Sequence, residues 1–252
     1  MKTQKLSVIF EKIFVPLISI SLGLGAALVI ATMLGESPVK VLGILLEGAF
    51  GNNTQIGYSL YYATPLLFTG LSVAWAFRVG LFNIGGEGQM MLGGVAMAAL
   101  GIAFPNLPAV VALPMILFVG FFVGGAWGAL AGWFKAKRGC HEVLSSILLN
   151  FISYSLCSFL ILHVLKNPDS QSPETAPIGA GFELPVLSFG GTSPVNASIF
   201  LAILAAFAFW FIFAKTRFGF IQRMSGEALQ VARRAGVSVD KQIIFAMFLS
   251  GG

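Results

Sequence analysis

The sequence has few charged residues and very little cysteine. Only 10% of its 252 residues are Asp, Glu, Lys or Arg, whereas soluble domains carry roughly 25%. Because 57% of the residues are hydrophobic, a water-soluble globule of this size would expose more apolar surface than soluble monomers tolerate. This composition argues against a soluble enzyme, a nucleic-acid-binding protein and a disordered chain. It predicts an integral membrane protein in a lipid bilayer.

Residue patterns that carry chemistry are also missing. Cys140 and Cys157 fit neither a disulfide framework nor a multi-cysteine metal site. His141 and His163 lie near the ends of predicted spans, without Glu or Cys at the spacing of zinc ligands. The chain has no G-x-x-x-x-G-K-[ST] phosphate-binding loop of its own. We therefore expect a protein without catalytic residues, metal or bound cofactor.

Long apolar runs are what the sequence does contain. A bilayer core about 30 Å thick needs roughly 20 apolar residues per helix. The stretches that qualify are 13–33, 56–77, 80–104, 109–134, 143–164 and 197–214. A seventh run starts at Ile243, and because a span cannot stop inside the bilayer with unsatisfied carbonyls, we expect a C-terminally truncated chain. The predicted fold is all-α: a polytopic transmembrane helix bundle of about six complete spans plus the start of a seventh, forming one transmembrane domain over 1–252.

The basic residues indicate how these spans are oriented. With alternating spans, only Lys40 and Lys166 fall on one side. The basic residues on the other side are Lys2, Lys5, Lys12, Arg78, Lys135, Lys137, Arg138, Lys215, Arg217, Arg223, Arg233, Arg234 and Lys241. The positive-inside rule then places the N-terminus in the cytoplasm. The loop 166–196, rich in Pro, Gly and Ser, is expected outside, and the loop 215–242 inside.

The start of the third predicted span, Arg78 to Gln89, is rich in glycine and polar residues. Four glycines in nine residues weaken a continuous helix. If the segment is helical, Glu87 lies about 13 Å beyond Arg78 and near mid-bilayer. Two interpretations remain open: an interrupted helix lining a substrate path, or a structural knot in which Glu87 caps backbone amides or pairs with Arg78. Under the first, Asn83, Glu87 and Gln89 are substrate-path candidates.

Two further spans carry a patterned face. In the fifth span, Asn150 shares one helical face with Glu142, Ser145, Ser146 and Leu149. Asn150 is a fourth substrate-path candidate, although we favour interhelical hydrogen bonding for this face. In the fourth span, small residues recur every four positions and predict close helix packing. They are Gly120, Gly124, Gly128 and Gly132.

The inner loop contains a short amphipathic pattern. Its apolar positions, at i, i+3, i+4 and i+7, are Ala228, Val231, Ala232 and Ala235. Ser225 is a possible N-cap and Gly236 fits the position after a helix, which predicts a helix of about ten residues over 226–235. A helix this short is marginal alone. It either docks in a groove on another protein or packs on its own bundle.

Several of these segments together resemble bacterial ABC-transporter permeases. They are Thr64-Pro65-Leu66-Leu67, Arg78 to Gln89 with its phrase Gly-Leu-Phe-Asn-Ile-Gly-x-Glu-Gly-Gln, Glu142 to Asn150, and Gly226-Glu227 leading to Ala232-Arg233-Arg234-Ala235-Gly236. The resemblance covers nearly the whole chain, in order. It is to the branched-chain amino acid and ribose-type permeases, and best to the nucleoside, basic-membrane-protein-associated branch.

The resemblance implies half of an ATP-driven importer in the bacterial inner or plasma membrane. A second permease, identical or not, would complete the pathway, and an extracellular substrate-binding lipoprotein would deliver the substrate. ATP and Mg²⁺ would be used by a partner ATPase that docks on the inner loop. The coupling residues implied are Gly226, Glu227, Ala228, Ala232, Arg233 and Gly236. No nucleic-acid partner is expected.

Three alternatives to an ATP-driven nucleoside importer remain open: another substrate, another energy source, or an enzyme. The same class of permease carries ribose-type sugars or branched-chain amino acids. An ion-coupled secondary transporter would need intramembrane relays of ionisable residues, and Glu87 is the only acidic residue that we place deep in a span. A membrane-embedded enzyme would need ligands or a nucleophile–base pair that we do not find in the spans.

Overall fold

The computed structural model describes residues 2–187 and 192–252, with side chains from residue 14 onward. The described part is helical, with two isolated β-bridges, Lys166 to Thr175 and Val186 to Asn196. The α-helices are α1 (Lys2–Met33), α2 (Pro38–Phe50), α3 (Asn53–Arg78), α4 (Gly86–Ala103), α5 (Ala109–Arg138), α6 (Glu142–Phe159), α7 (Ser198–Lys215), α8 (Arg217–Glu227), α9 (Leu229–Arg234) and α10 (Val239–Gly251). A short π-helix (Leu160–Val164) extends α6, and a 3₁₀ turn covers Ala180–Phe182. The predicted all-α class is confirmed.

Five of the described segments are long and apolar enough to cross a membrane. They are Phe14–Met33, Asn53–Arg78, Ala109–Arg138, Glu142–Val164 and Ser198–Lys215. The span predicted over 80–104 is not among them. Its helix starts only at Gly86 and is as long as Ser198–Lys215, but Glu87, Gln89 and several glycines lower its mean hydropathy. A helix of 13 residues, α2, was not predicted. The number of spans and the cytoplasmic N-terminus stay predictions.

The chain divides into two compact units. The first contains residues up to Leu60 with the described part of 188–195. Here α1 ends at Met33 and is followed by Gly35, whose φ is +85°. The helix α2 begins with Pro38 in its first turn, where its missing N–H costs no hydrogen bond. The Ser59 hydroxyl donates to the Ala49 carbonyl at 2.9 Å and joins α3 to α2.

The second unit, residues 61–187 and 196–252, is built around α4, α5 and α10. The glycine face of α5 lets both neighbours approach at backbone distance. A Cβ on Gly124 would lie 2.5 Å from the Gly251 carbonyl oxygen of α10, and one on Gly120 would lie 2.7 Å from the Met97 sulfur of α4. Gly128 likewise faces the Met247 carbonyl. The predicted close-packing face is confirmed.

At one end of this unit, aromatic and charged side chains join the ends of neighbouring helices. Trp75 of α3 packs edge-on against Phe213 near the end of α7, with ring centroids 4.9 Å apart. The Arg78 guanidinium lies 5.9 Å from the centroid of the same phenylalanine ring. Lys137, in the last turn of α5, pairs with Asp240 of α10 at 3.1 Å.

The Pro-rich loop lies at the opposite end of the second unit. The Gly179 N–H donates to the Gly101 carbonyl near the end of α4 at 3.3 Å. The separation of this loop from the basic ends of α3 and α5 agrees with the charge pattern of the sequence. Residues 188–191, within the predicted outer loop, lie outside the described residues, as do the side chains of Lys2, Lys5 and Lys12.

Candidate transport site and coupling segment

Residues 79–85 form a non-helical connector between α3 and α4. The helix α3 ends because Gly80 adopts φ +68°, a conformation that glycine tolerates. The Leu81 N–H then donates to the Ala76 carbonyl at 2.9 Å and the Gly80 N–H to the Phe77 carbonyl at 3.1 Å, which is the Schellman pattern. The apolar stretch predicted over 80–104 is therefore helical only from Gly86 to Ala103.

The connector is held by a buried set of side chains that we call the Asn83 network. Asn83, which is 2% exposed, donates through Nδ2 to Gln89 Oε1 at 2.9 Å and to Ser250 Oγ at 2.8 Å. Its Oδ1 accepts from Gln89 Nε2 at 3.1 Å and from the Gly85 N–H at 2.9 Å. The Ser250 hydroxyl also bonds the Ser72 carbonyl at 2.7 Å. One amide thus joins the connector to α3, α4 and α10.

Asn150 of α6 holds the point where the connector becomes α4. Its Oδ1 accepts from the Gly88 N–H at 3.1 Å, and its Nδ2 donates to the Ile84 carbonyl at 3.0 Å. Asn150 lies about 12 Å along α6 from Glu142, at 1.5 Å per residue. Irregular backbone at membrane depth is tolerated only inside protein or beside water. The side chain of Asn150 satisfies two backbone groups there that a regular helix would have paired.

Glu87, by contrast, is exposed in the first turn of α4. Its carboxylate interacts with the Tyr154 hydroxyl of α6. Within residues 14–187 and 192–252, no ion pair joins Glu87 to Arg78. A structural hydrogen-bond network does hold this segment, as one of the two interpretations of the sequence proposed, but Asn83, Gln89 and Asn150 form it. The substrate-path role of all four candidates stays a prediction.

Tyr154 was missed by sequence reasoning, as were Ser72 and Ser250 of the Asn83 network. Tyr154 follows Asn150 by four positions and so lies one turn further along the same side of α6. The polar face predicted from Glu142 to Asn150 could have been extended by this turn. Its chemistry gave no signal, since aromatic residues are common throughout the predicted spans and make up 13% of the chain.

The inner loop contains two helices where one was predicted. The segment 226–235 is divided, because Gly226 and Glu227 belong to the end of α8, while Ala228 has φ −142° and breaks the helix. Ser225 is not an N-cap, since its hydroxyl donates to the Ile221 carbonyl within α8. The N-cap of α8 is Thr216, whose Oγ1 accepts from the Gly219 N–H at 3.0 Å.

Gly236 ends α9 as predicted. Its φ is +80°, and its N–H donates to the Arg233 carbonyl at 3.1 Å. The Val237 N–H donates to the Ala232 carbonyl at 3.0 Å, which completes a second Schellman pattern. The stop signal was readable because glycine is strongly preferred at this position.

The predicted coupling residues do not share one surface. Ala232 is fully buried, so the small face of α9 packs on its own chain. Gly226 lies against Val79 and Gly80 of the connector. Glu227, Arg233 and Gly236 are exposed. Glu227 also lines a groove of about 290 Å³, together with Phe220, Arg223, Met224 and Ala228.

Residues 55–252 match the family described as the permease component of the branched-chain amino acid transport system. The chain belongs to this family of permeases. The permease is 36% identical over 242 residues to the guanosine ABC transporter permease protein NupP of Bacillus subtilis, which covers 95% of this chain and 68% of that protein. Its multiple apolar helices and its family together establish a multi-pass protein of the plasma membrane.

Two other similar permeases are named for different substrates, a nucleoside and glucose. The nucleoside ABC transporter permease protein NupB of Lactococcus lactis is 30% identical over 247 residues, covering 96% of this chain and 68% of that protein. The glucose ABC transporter permease protein TsgB13 of Haloferax volcanii is 30% identical over 244 residues, covering 94% and 64%. No solved structure matches the chain.

Proposed function

We propose that this permease is the membrane-spanning subunit of an ATP-driven importer of nucleosides. The observation that carries the proposal is the 36% identity to a guanosine permease along 95% of the chain. A glucose permease at 30% identity favours free sugars as the second candidate. In either case the transporter needs a second permease subunit, a partner ATPase that binds ATP and Mg²⁺, and an extracellular lipoprotein that delivers the substrate.

The pair formed by Glu87 and Tyr154 is the part of the chain best suited to contact a nucleoside. Tyr154 lies about 18 Å along α6 from Glu142, at 1.5 Å per residue, and so near the middle of the segment Glu142–Val164. An exposed carboxylate at that depth costs a few kcal/mol against lipid, so it belongs beside water or a partner. The two groups can accept and donate hydrogen bonds to the ring and hydroxyl groups of a nucleoside. The neighbouring Phe151, whose ring lies 6.2 Å from Tyr154, offers a face for stacking.

The buried amides have a different role in this proposal. Asn83, Gln89 and Asn150 already use their polar atoms inside the chain. They keep the connector in place so that α4 starts within the membrane and presents Glu87 to the pathway. The positive end of the dipole of α4 lies beside this carboxylate and stabilises its charge.

The exposed part of the inner loop is the proposed docking surface for the ATPase. Arg233 and Arg234 in the last turn of α9 are exposed, as are Glu227 and Gly236. Glu227 lines the groove that contains Phe220, Arg223 and Met224, so apolar and charged contacts are available side by side. Ala232 supports this surface from within.

The test is transport by the full-length permease reconstituted in proteoliposomes with its partner ATPase, second permease and binding protein. We expect uptake of radiolabelled guanosine that requires ATP and is competed by other nucleosides but not by glucose or leucine. Glucose uptake that excess guanosine leaves unchanged would overturn the nucleoside assignment. Uptake that needs no ATP and collapses with a proton or sodium ionophore would overturn the ATP-driven importer itself.

A further inference from the structure

The end of α8 touches the start of the connector with backbone against backbone. A Cβ on Gly226 would lie 2.5 Å from the carbonyl carbon of Val79, 2.7 Å from the nitrogen of Gly80 and 2.8 Å from the Val79 Cα. In the reverse direction, a Cβ on Gly80 would lie 3.2 Å from the Gly226 carbonyl oxygen. No flexible side chain lies between the two segments, so neither can move toward the other without displacing it.

The connector side of this contact leads directly to the Asn83 network. Val79 and Leu81 are buried at 4% and 5% exposure, and the Schellman hydrogen bonds at Gly80 fix the turn to α3. Asn83 follows Gly80 by three residues and bonds α4 and α10 through Gln89 and Ser250. A displacement at Gly226 can therefore reach the start of α4 through residues 79–83 and the hydrogen bonds of Asn83.

The other side of the contact leads to the exposed inner loop. Gly226 is followed by Glu227 and Ala228, which line the surface groove. We propose that Gly226 is a positioning residue that transmits movement of the inner loop to the Asn83 network through its backbone contact with Val79 and Gly80. The inference rests on the proposed function and refines it, because it removes Gly226 from the surface that touches the ATPase.

The test compares Gly226→Ala with Gly94→Ala in the complete reconstituted transporter. Gly94 is the matched control, since it lies within α4 and a Cβ there would meet nothing within 4 Å. The measured quantity is the number of substrate molecules imported per ATP hydrolysed. Coupling between sites commonly amounts to 5- to 150-fold, and we expect this ratio to fall about tenfold in Gly226→Ala. The ratio in Gly94→Ala should equal that of the unaltered permease.

The ratio separates coupling from simple loss of folded protein. A merely structural defect lowers uptake and ATP hydrolysis in proportion and leaves the ratio unchanged, so an unchanged ratio overturns the inference. Absence of ATP-driven uptake in the unaltered transporter is instead a failure of the proposed function. If the transported substrate is a sugar, the same ratio is measured with that sugar.

A second measurement keeps Gly226 intact, in case Gly226→Ala does not assemble. A nitroxide is attached through Phe82→Cys, at an exposed position of the connector, in a background with Cys140→Ala and Cys157→Ala. We expect the mobility of the label to change when a non-hydrolysable ATP analogue is added to the complex with the ATPase. An unchanged spectrum, in a complex whose ATPase demonstrably binds the analogue, overturns the inference.

Discussion

At the scale of single residues, one amide side chain replaces two backbone partners at the start of α4. Asn150 accepts from the Gly88 N–H and donates to the Ile84 carbonyl. Neither an apolar nor a purely accepting side chain can do both. Gly88 is required opposite it, because a Cβ there would lie 2.7 Å from the Asn150 Oδ1.

We expect Asn150→Ala to destabilise the permease, because it leaves both backbone groups unpaired in the membrane. Each unsatisfied buried group costs about 1–3 kcal/mol. Thermal unfolding of the detergent-solubilised permease measures the effect. Ser155→Ala on an exposed turn of the same helix, where the hydroxyl bonds only the Phe151 carbonyl, is the control. Equal melting temperatures for both variants would contradict the assigned hydrogen bonds.

We expect Glu87→Gln to lower nucleoside uptake while assembly with the ATPase stays intact. A hydrogen bond to a charged acceptor is worth about 1.5 kcal/mol more than one to a neutral acceptor, which corresponds to about tenfold. Uptake at limiting substrate concentration is the measurement. Glu47→Gln removes an exposed carboxylate from α2 and should leave uptake unchanged. Normal uptake in Glu87→Gln would show that the charge is dispensable.

At the scale of elements, α5 lets two helices approach it closely because its small residues share one face. We expect Gly128→Ala to destabilise the permease by about 1–3 kcal/mol, the usual cost of overpacking, because its Cβ would meet the Met247 carbonyl. Gly94→Ala, with open space around it, should be neutral or slightly stabilising. Chemical or thermal unfolding in detergent compares the two, and equal stability would contradict the close contact with α10.

The sequence was informative wherever a signal was local. The four-residue spacing of glycines on α5 and the stop at Gly236 depend on neighbours within one helix, and both predictions are confirmed. The connector was not predictable in the same way, because its apolar residues continue the hydrophobic run and its partners are distant. Ser250, for example, lies 167 positions from Asn83.

The break between α8 and α9 was hidden for the same reason. Ala228 favours helix intrinsically, so nothing local marks the break, and the contacts of Gly226 and Ala232 with the rest of the chain outweigh propensity. The candidate site was identified as a region, from Arg78 to Gln89 with Asn150. The division of its residues into buried amides and an exposed Glu87 required the tertiary hydrogen bonds.

At the scale of the whole molecule, the exposed arginines of α9 belong to the proposed ATPase surface. We expect Arg233→Glu combined with Arg234→Glu to reduce co-purification of the ATPase about tenfold, since two reversed surface charges cost roughly 1–2 kcal/mol. Lys166→Glu reverses an exposed charge in the Pro-rich loop and should leave the complex unchanged. Equal recovery of the ATPase in all three proteins would place docking elsewhere.

The orientation of the permease can be tested through its two cysteines. Cys140 is exposed just after the basic end of α5, whereas Cys157 is buried. We expect a membrane-impermeant maleimide to label the permease in inside-out vesicles but not in right-side-out vesicles. Cys140→Ala should abolish the labelling. Labelling from the outside would reverse the predicted topology.

Two amides of the connector region should exchange with solvent independently of the long helices. The Gly85 and Gly88 amides are bonded to side chains, those of Asn83 and Asn150, and not to a helical carbonyl. Their protons can exchange with solvent when the hydrogen bonds to these two side chains break, even while the long helices remain intact. Deuterium uptake at these two glycines therefore measures local opening of the connector separately from unfolding of the bundle.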